Sequence, residues 1–279
     1  MGDSDATDGL CEFRSGMNEV TRLEAQGAAL APATRMILAE AGLRPGMRVL
    51  DLGCGAGDVT FAAAELVGPG GSVTGLDHSP DALAQARYRA GQRGLAQAQF
   101  IEGDVHDPAP GGPFDAIVER LTLWQVPDPA VVLRRQATVL RPGGLVVPME
   151  KDFVAFYSEP ELPLYTQTCS WIVQAFAKIG SPLPTMGRRL WAIAEEAGLR
   201  PLGMTAVLPQ FGPGDENGLA FWLETIRNGV PLLVGSGVVT AEELDIETYE
   251  QRFRSEWEEN RAVFTDAPLM SVWATTGPE

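Results

Sequence analysis

Short apolar runs along the chain alternate with longer stretches in which apolar positions recur every three or four residues. The short runs predict strands at 47–52, 72–77, 98–101, 114–119 and 145–149. The longer stretches between them predict helices at 58–67, 80–94 and 128–140. Strands that alternate with helices at this spacing indicate a parallel sheet with helices on both faces.

The pattern continues more loosely on either side of this block. Residues 17–42 carry the apolar stripe of a helix, which Pro32 interrupts. Further helices are predicted at 185–197 and over most of 215–262, and further strands at 202–208 and 269–275. The whole chain is therefore expected to contain seven strands.

Two helix starts are marked by local sequence. Ser79 precedes Pro80, which places a capping hydroxyl directly before a residue whose backbone is preset for the first helical turn. Thr240 is followed three residues later by Glu243, which is the spacing of a capping box. A helix should begin at each of these sites.

Composition narrows the class of protein. Hydrophobic residues make up 45% and charged residues 21% of the 279 positions, which is typical of a soluble globular chain rather than a disordered one. No apolar run approaches the roughly 18 residues of a membrane span. The formal net charge of -16 repels phosphate backbones, so we expect neither a nucleic-acid nor a membrane partner.

Cysteines and the first residues indicate the compartment. Cys11, Cys54 and Cys169 are odd in number and far apart, so neither a disulfide framework nor a metal site is expected. Residues 1–5 are acidic and polar and contain no apolar signal segment. We therefore expect a cytoplasmic protein.

The most informative motif is a glycine-rich turn directly after the first predicted strand. Gly53, Gly55 and Gly57 alternate there and lead into a helix. Glycine lets a backbone approach a ligand closely, and the N–H groups of a helix start attract a carboxylate or phosphate. A dinucleotide fingerprint would need glycine where Asp58 stands, and the Gly-Lys-Ser/Thr of a P-loop is absent.

Acidic residues follow the next two strands at the same end of the sheet. Asp77 ends the second predicted strand, where two carboxylate oxygens match the vicinal hydroxyls of a ribose. Asp104 follows the third strand, where a carboxylate accepts an exocyclic amine of a purine. The alternatives are that Asp77 serves only the next helix start and that Asp104 serves only a turn. The three features in order are a stronger signal than any one of them.

Together these stretches resemble the class I S-adenosylmethionine-dependent methyltransferases, in the small-molecule branch that acts on natural products. The matching residues are the glycine motif at 49–57, Asp77, Asp104, the fourth strand at 114–118 and the turn at 140–144. The resemblance implies an α/β, Rossmann-like fold with a seven-stranded sheet and helices on both faces. Its strand order would be 3-2-1-4-5-7-6, with the last strand antiparallel and a helical lid beside it.

The resemblance also implies a site for the cofactor S-adenosyl-L-methionine. The glycine turn would hold the methionine part, Asp77 the ribose and Asp104 the adenine amine. Gln26 on the first helix would reach the methionine carboxylate or ammonium, with an exposed helix face as the equal alternative. The cofactor contacts predicted in this way are Gln26, Asp51, Gly53, Gly55, Gly57, Asp77, His78, Gly103, Asp104, Val105 and Glu119.

On this interpretation the chain divides into three parts. Residues 1–16 form a flexible tail, and residues 17–150 contain the N-terminal cap helices and the cofactor-binding core. Residues 151–279 complete the sheet. Two aromatic insertions within this last part, at 155–184 and 210–265, are expected to form the substrate lid.

A base for the acceptor is harder to place. Many relatives carry a histidine pair after the fourth strand, where this chain has Trp124 and Gln125. His78 and His106 follow the ribose and adenine positions, so neither is expected to act as the base. The chain therefore offers no histidine for this step.

We nominate Glu119 and Glu150, at the ends of the fourth and fifth strands, as catalytic residues. The equal alternative is that they balance charge or pair with Arg120 or Lys151. If Glu119 is the base, Glu119→Gln should abolish turnover while cofactor binding persists.

Aromatic residues of the insertions suggest the acceptor. Trp124, Phe153, Trp171 and Trp222 are nominated as substrate contacts, although core packing must explain most rings of this kind. The function expected is methyl transfer to a small apolar or aromatic acceptor of secondary metabolism, by a chain that is a possible homodimer. The alternative is a related cofactor-binding enzyme that catalyses isomerisation, cyclisation or decarboxylation.

Overall fold

The computed structural model describes residues 17–277, with side chains from residue 29 onward. The predicted tail at 1–16 and the side chain of Gln26 lie outside the described residues. By their contacts the described residues divide into two units. The sheet unit comprises 30–151, 186–207 and 269–277, and the aromatic unit comprises 17–29, 152–185 and 208–268.

Ten strands and nine α-helices are formed by residues 17–277. The strands are β1 (Arg48–Leu52), β2 (Ser72–Asp77), β3 (Ala98–Glu102), β4 (Phe114–Arg120), β5 (Leu140–Lys151), β6 (Ser158–Glu159), β7 (Arg200–Val207), β8 (Gln210–Phe211), β9 (Val263–Thr265) and β10 (Leu269–Thr275). The helices are α1 (Met17–Glu40), α2 (Asp58–Val67), α3 (Pro80–Arg93), α4 (Pro129–Gln136), α5 (Pro163–Lys178), α6 (Met186–Glu196), α7 (Glu216–Gly235), α8 (Ala241–Leu244) and α9 (Ile246–Asn260). None of these helices has both the length and the apolar character that crossing a bilayer requires.

The sheet unit is built on a seven-stranded sheet in the order β3-β2-β1-β4-β5-β10-β7. Strands β1 to β5 are parallel, and β10 runs antiparallel to both of its neighbours. Since β7 and β10 are the sixth and seventh strands expected from the sequence, the predicted order 3-2-1-4-5-7-6 is confirmed. The carboxyl ends of β1, β2 and β4 therefore lie side by side.

Both faces of this sheet are covered, as predicted. On one face Ile37 of α1 packs in a buried cluster with Val49 and Val118. On the other face Leu190 of α6 packs in a second cluster with Val146. The sequences of the central strands are nearly continuous apolar runs because their side chains are buried on both faces of the sheet.

Local signals set the helix starts. The Ser79 hydroxyl accepts a hydrogen bond from Ala82 N at 3.3 Å, and both halves of the capping box between Thr240 and Glu243 are formed. The helix predicted to reach residue 140 is shorter, because α4 ends at Gln136 and is followed by a 3₁₀ turn. Leu140 is already paired with Phe114 in the sheet, so the chain must leave the helix before it.

The aromatic unit contains a small antiparallel sheet in the order β6-β9-β8, which the sequence does not predict. Its core is a cluster of rings that includes Tyr165 of α5, Trp222 of α7 and Phe253 of α9. The Phe264 ring, on β9, lies 5.6 Å from that of Tyr165 and 5.3 Å from that of Phe253. Most aromatic residues of this unit therefore serve its own packing.

Candidate functional site

A glycine turn joins β1 to α2 at the carboxyl edge of the sheet. Gly57 has a left-handed φ of 92°, and a Cβ there would lie 2.6 Å from the Phe61 ring. Gly53 is also left-handed, at φ 65°, and a Cβ there would collide with the Thr122 hydroxyl. Both positions therefore require glycine for conformation and for space.

Arg89 of α3 holds the far side of this turn. Its guanidinium donates to the carbonyl oxygen of Ala56 at 2.7 Å and to the Asp58 carboxylate at 2.8 and 3.3 Å. Both charged side chains are largely buried, with 14% and 15% of their surface exposed. The Arg89 guanidinium also lies 5.3 Å from the centre of the Phe61 ring. The first turn of α2 is thus tied to its neighbouring helix.

Asp77, at the end of β2, faces the same turn. Its Oδ2 accepts from Gly55 N at 2.8 Å and its Oδ1 from Ser79 N at 2.9 Å. The residue is buried, with 7% of its surface exposed. A carboxylate can accept about four hydrogen bonds, so this one is oriented by the backbone and still has lone pairs for a ligand.

Asp51, near the end of β1, is buried directly below the turn. Thr60 of α2 donates its hydroxyl to Asp51 Oδ2 at 2.5 Å, while Oδ1 is buried and has no hydrogen-bond partner among the described residues. Burial raises the pKa of this carboxyl to about 7, and the negative charge of Asp77 contributes to the increase. An unpaired buried acceptor is costly unless a ligand or water completes it.

The residues after β3 lie at the same edge of the sheet. Gly103 N donates to the carbonyl oxygen of Asp77 at 3.0 Å. Asp104 is exposed, and its Oδ1 accepts from His106 N at 2.9 Å and contacts His106 Nδ1 at 2.6 Å. The backbone hydrogen bond is the main reason that the pKa of Asp104 is lowered. His78 is exposed, with Nδ1 3.6 Å from Asp77 Oδ1.

Glu119 and Glu150 form a buried acidic pair at the ends of β4 and β5. The two Glu119 oxygens accept from Met149 N at 3.0 Å and from Thr122 N at 3.1 Å. Glu150 Oε1 accepts from Trp124 N at 3.1 Å, and its buried Oε2 has no hydrogen-bond partner in the described part of the chain. Burial raises the pKa of Glu119 to about 8, and burial together with the nearby Glu119 raises the pKa of Glu150.

The segment that this pair holds follows β4. Leu121 has a left-handed φ of 60°, and its N–H donates to the carbonyl oxygen of Met149 at 3.0 Å. The Thr122 hydroxyl donates to the carbonyl oxygen of Leu52 at 3.1 Å, beside Gly53. One set of hydrogen bonds thus joins the ends of β4 and β5, through the acidic pair, to the glycine turn.

The nominated substrate residues occupy different surroundings. Trp124 is partly buried and packs against the cluster of α4 and α6. In the aromatic unit, Phe153 is partly buried beside Phe156, Trp171 is partly exposed, and Trp222 lies in the core with 2% of its surface exposed. Trp222 is therefore a packing residue of this unit in the structure, and the substrate roles of the four stay predictions.

Sequence reasoning missed three side chains that shape this site. Thr60 bonds Asp51 across nine residues, Arg89 bonds Asp58 across 31, and Thr122 bonds Leu52 across 70. Only the first could have been anticipated, since residues 58–67 were expected to be a helix leaving the turn. The other two depend on which strands and helices are neighbours.

Comparison with known proteins agrees with this architecture. Residues 43–177 match the family model of a methyltransferase domain. Nocamycin O-methyltransferase from Saccharothrix syringae is 40% identical over 116 residues, which is 41% of this chain and 41% of that protein. The chain spans about half the length, or less, of the curated relatives it matches.

Solved structures support the fold. A methyltransferase structure from Bacillus halodurans C-125, described as putative, has a TM-score of 0.57 at 17% identity and covers 88% of this chain and 100% of that one. The [4+2]-cyclase SpnF has a TM-score of 0.55 at 19% identity and covers 89% of this chain and 81% of that one. The sheet order and the glycine turn are those of a Rossmann-like fold. The class that these comparisons indicate is the S-adenosylmethionine-dependent methyltransferases, whose domain residues 43–177 resemble.

The side chains present fit the cofactor of this class, S-adenosyl-L-methionine. Asp51 Oδ1 has no hydrogen-bond partner within residues 29–277, and an ammonium group would supply one. Gly55 has open space where a Cβ would stand, and the Asp77 carboxylate is oriented beside it. Residues close together in the chain therefore offer an acceptor for an ammonium group, open space beside the backbone, and a carboxylate for hydroxyl groups, all of which this one ligand needs.

Proposed function

We propose that this chain transfers a methyl group from S-adenosyl-L-methionine to a small apolar or aromatic acceptor, a secondary metabolite. The observation that carries the proposal is the unpartnered oxygen of Asp51 behind the glycine turn of a methyltransferase domain. A buried acceptor of this kind, on a carboxyl that shares its surroundings with Asp77, favours a cationic ligand. A cytoplasmic location and a homodimer accompany the proposal as predictions.

In this proposal each part of the cofactor is bound by a different residue or turn. The turn from Gly53 to Gly57 holds the methionine part, and Asp51 takes its ammonium group. Asp77 takes the ribose hydroxyls, and Asp104 takes the adenine amine. The bordering positions assigned to the adenosine and the methionine are His78, Gly103, Val105, Glu119 and, on α1, Gln26.

When bound, the cofactor would supply a methyl group activated by its bond to a positively charged sulfur, and transfer of that methyl group to the acceptor would leave S-adenosylhomocysteine. The chain's own contribution to such a step is positioning, because holding two reactants in line supplies much of the rate enhancement. The Asp77 carboxylate at the end of β2 and the formal net charge of -16 favour a cation over a neutral ligand at this edge of the sheet.

Two observations support the acceptor class. The similar protein from Saccharothrix syringae is a methyltransferase named for a small molecule, nocamycin. The aromatic unit has ring surface at Phe153 and Trp171 that is not fully buried, and such surface suits a flat or apolar ligand.

The test combines binding with turnover. Asp77→Asn replaces one of the two oxygens that orient Gly55 and Ser79, so its affinity for S-adenosylhomocysteine should fall at least about tenfold by calorimetry. Asp81→Asn, an exposed acid in the first turn of the next helix, is the matched control and should stay within about twofold.

Turnover is then measured with S-adenosylmethionine and two acceptor panels, one of aromatic and apolar hydroxyl compounds and one of amino acids. Formation of S-adenosylhomocysteine with the first panel supports the proposal. A preference for amino acids contradicts the acceptor class. Consumption of an acceptor without S-adenosylhomocysteine identifies the alternative, a rearrangement or cyclisation, and the absence of binding contradicts the function as a whole.

A further inference from the structure

The acidic pair Glu119 and Glu150 is placed differently from a general base. A base needs a free oxygen that reaches the proton of a substrate. Both oxygens of Glu119 instead accept backbone N–H groups, and the residue has 1% of its surface exposed. Glu150 is fully buried and uses one oxygen in the same way.

Three of the N–H groups that the pair accepts belong to β5 and to the segment that follows β4. Thr122 N and Trp124 N lie in the segment after β4, and Met149 N lies in β5. Without these acceptors the segment would need other partners for buried N–H groups, next to a leucine in a left-handed conformation. The pair therefore fixes the backbone of residues 121–125.

The same segment contacts the glycine turn. The Thr122 hydroxyl donates to the carbonyl oxygen of Leu52, and the side chain fills the space into which a Cβ of Gly53 would project. A shift of the segment therefore moves the first glycine of the turn.

We propose that Glu119 and Glu150 are positioning residues, which hold the segment 121–125 against the glycine turn and so set the affinity for the methionine end of the cofactor. This inference rests on the proposed function. It differs from the expectation of a catalytic base, which predicts lost turnover with cofactor binding intact.

The pair should respond asymmetrically to the same substitution. In Glu119→Gln the side-chain NH₂ replaces one of two oxygens that both accept N–H groups, so one donor loses its acceptor. In Glu150→Gln the amide oxygen can still accept from Trp124 N, and the NH₂ replaces an oxygen that has no hydrogen-bond partner among the described residues. The first change should therefore disturb the segment more than the second.

The experiment is titration of S-adenosylhomocysteine into folded protein by calorimetry. Glu119→Gln should bind at least about fivefold more weakly, whereas the exposed control Glu196→Gln should stay within about twofold of the parent chain. Glu150→Gln, which keeps an acceptor for Trp124 N, should lose less affinity than Glu119→Gln. Thr122→Val, which removes the hydroxyl contact and leaves both acids in place, should weaken binding as Glu119→Gln does. Thr122→Ser keeps the hydroxyl and should restore most of the affinity.

Each outcome decides between the roles. A purely structural role lowers the melting temperature and the active fraction but leaves the dissociation constant of the folded protein unchanged, and this result would overturn the inference. If Glu119→Gln keeps its affinity for S-adenosylhomocysteine but loses turnover, Glu119 is instead the general base, and the inference is overturned. If the parent chain binds no S-adenosylhomocysteine, the proposed function itself fails, and the inference fails with it.

Discussion

At the scale of single residues, Asp51 links the stability of the folded chain to pH. Its pKa is raised from 3.8 to about 7 by burial, so the folded chain holds a proton that the unfolded chain has already released over this range. The stability contributed by this group is fully present below its unfolded pKa. It is lost as the pH rises from about 4 to about 7, and further increases in pH change it little.

Asp51→Asn should therefore stabilise the chain at neutral and alkaline pH. Without ligand, we expect its melting temperature to exceed that of the parent by about 5 °C at pH 8, with the difference vanishing near pH 4. The same variant should lose affinity for S-adenosylhomocysteine, because an amide cannot balance an ammonium group. Melting curves across this pH range measure the first effect, and a difference that does not depend on pH would show that Asp51 does not titrate as described.

A few residue-scale features of the site are predictable from sequence, and others are not. Gly53 and Gly57 are predictable, because a turn with left-handed backbone accepts few residues other than glycine. Asp77 is predictable because an acidic residue directly follows an apolar run. The orientation of Asp77 by Gly55 N is not visible, since it depends on the distance between two loops. The same holds for the backbone contacts of Glu119.

At the scale of elements, α3 restrains α2 through one arginine. Arg89 bonds both the turn and the first residue of α2, and little of the pair is exposed to solvent. A largely buried ion pair that loses one partner leaves the other without compensation. The helix start is therefore sensitive to a residue 31 positions away.

Arg89→Met should lower the free energy of unfolding by about 2 kcal/mol, since Asp58 and the carbonyl of Ala56 lose their donor. It should also weaken S-adenosylhomocysteine binding. Arg93→Met is the control, because Arg93 lies over the same Phe61 ring, is exposed, and should cost less than about 0.5 kcal/mol. Urea unfolding compares the two, and equal losses would show that the ring rather than the ion pair carries the effect.

Elements are predictable where their signals are local. The starts of α3 and α8 follow from Ser79 and from Thr240 with Glu243, and the central strands follow from apolar runs. The small sheet of the aromatic unit is missed because its strands are two or three residues long, too short for any alternation to register. Its pairing is set by tertiary contacts instead.

At the scale of the whole molecule, charge should influence which form of the ligand is preferred. The chain carries 37 acidic and 21 basic residues, and the Asp77 carboxylate lies at the end of β2 beside the glycine turn. S-adenosylmethionine has a positive sulfur that S-adenosylhomocysteine lacks. A negative field therefore favours the first ligand more than the second.

The ratio of the two affinities should consequently fall with salt. We expect S-adenosylmethionine to lose affinity more steeply than S-adenosylhomocysteine as ionic strength rises from about 0.01 M to about 0.15 M, over which the screening length shortens from about 30 Å to about 8 Å. Calorimetric titrations of both ligands into one preparation measure this, and S-adenosylhomocysteine, whose ammonium and carboxylate give it no net charge, serves as the control. Parallel losses would show that the overall charge has no part in the preference.

The position of β10 also bears on the order in which the chain can fold. In the sheet it lies between β5 and β7, yet it is the last of the described strands to leave the ribosome. Until it is made, β7 has no neighbour in the seven-stranded sheet, and β5 has only one. Pairings over such separations form slowly. Nascent chains that stop short of Leu269 should therefore expose an unpaired strand edge, which is the kind of surface that chaperones protect.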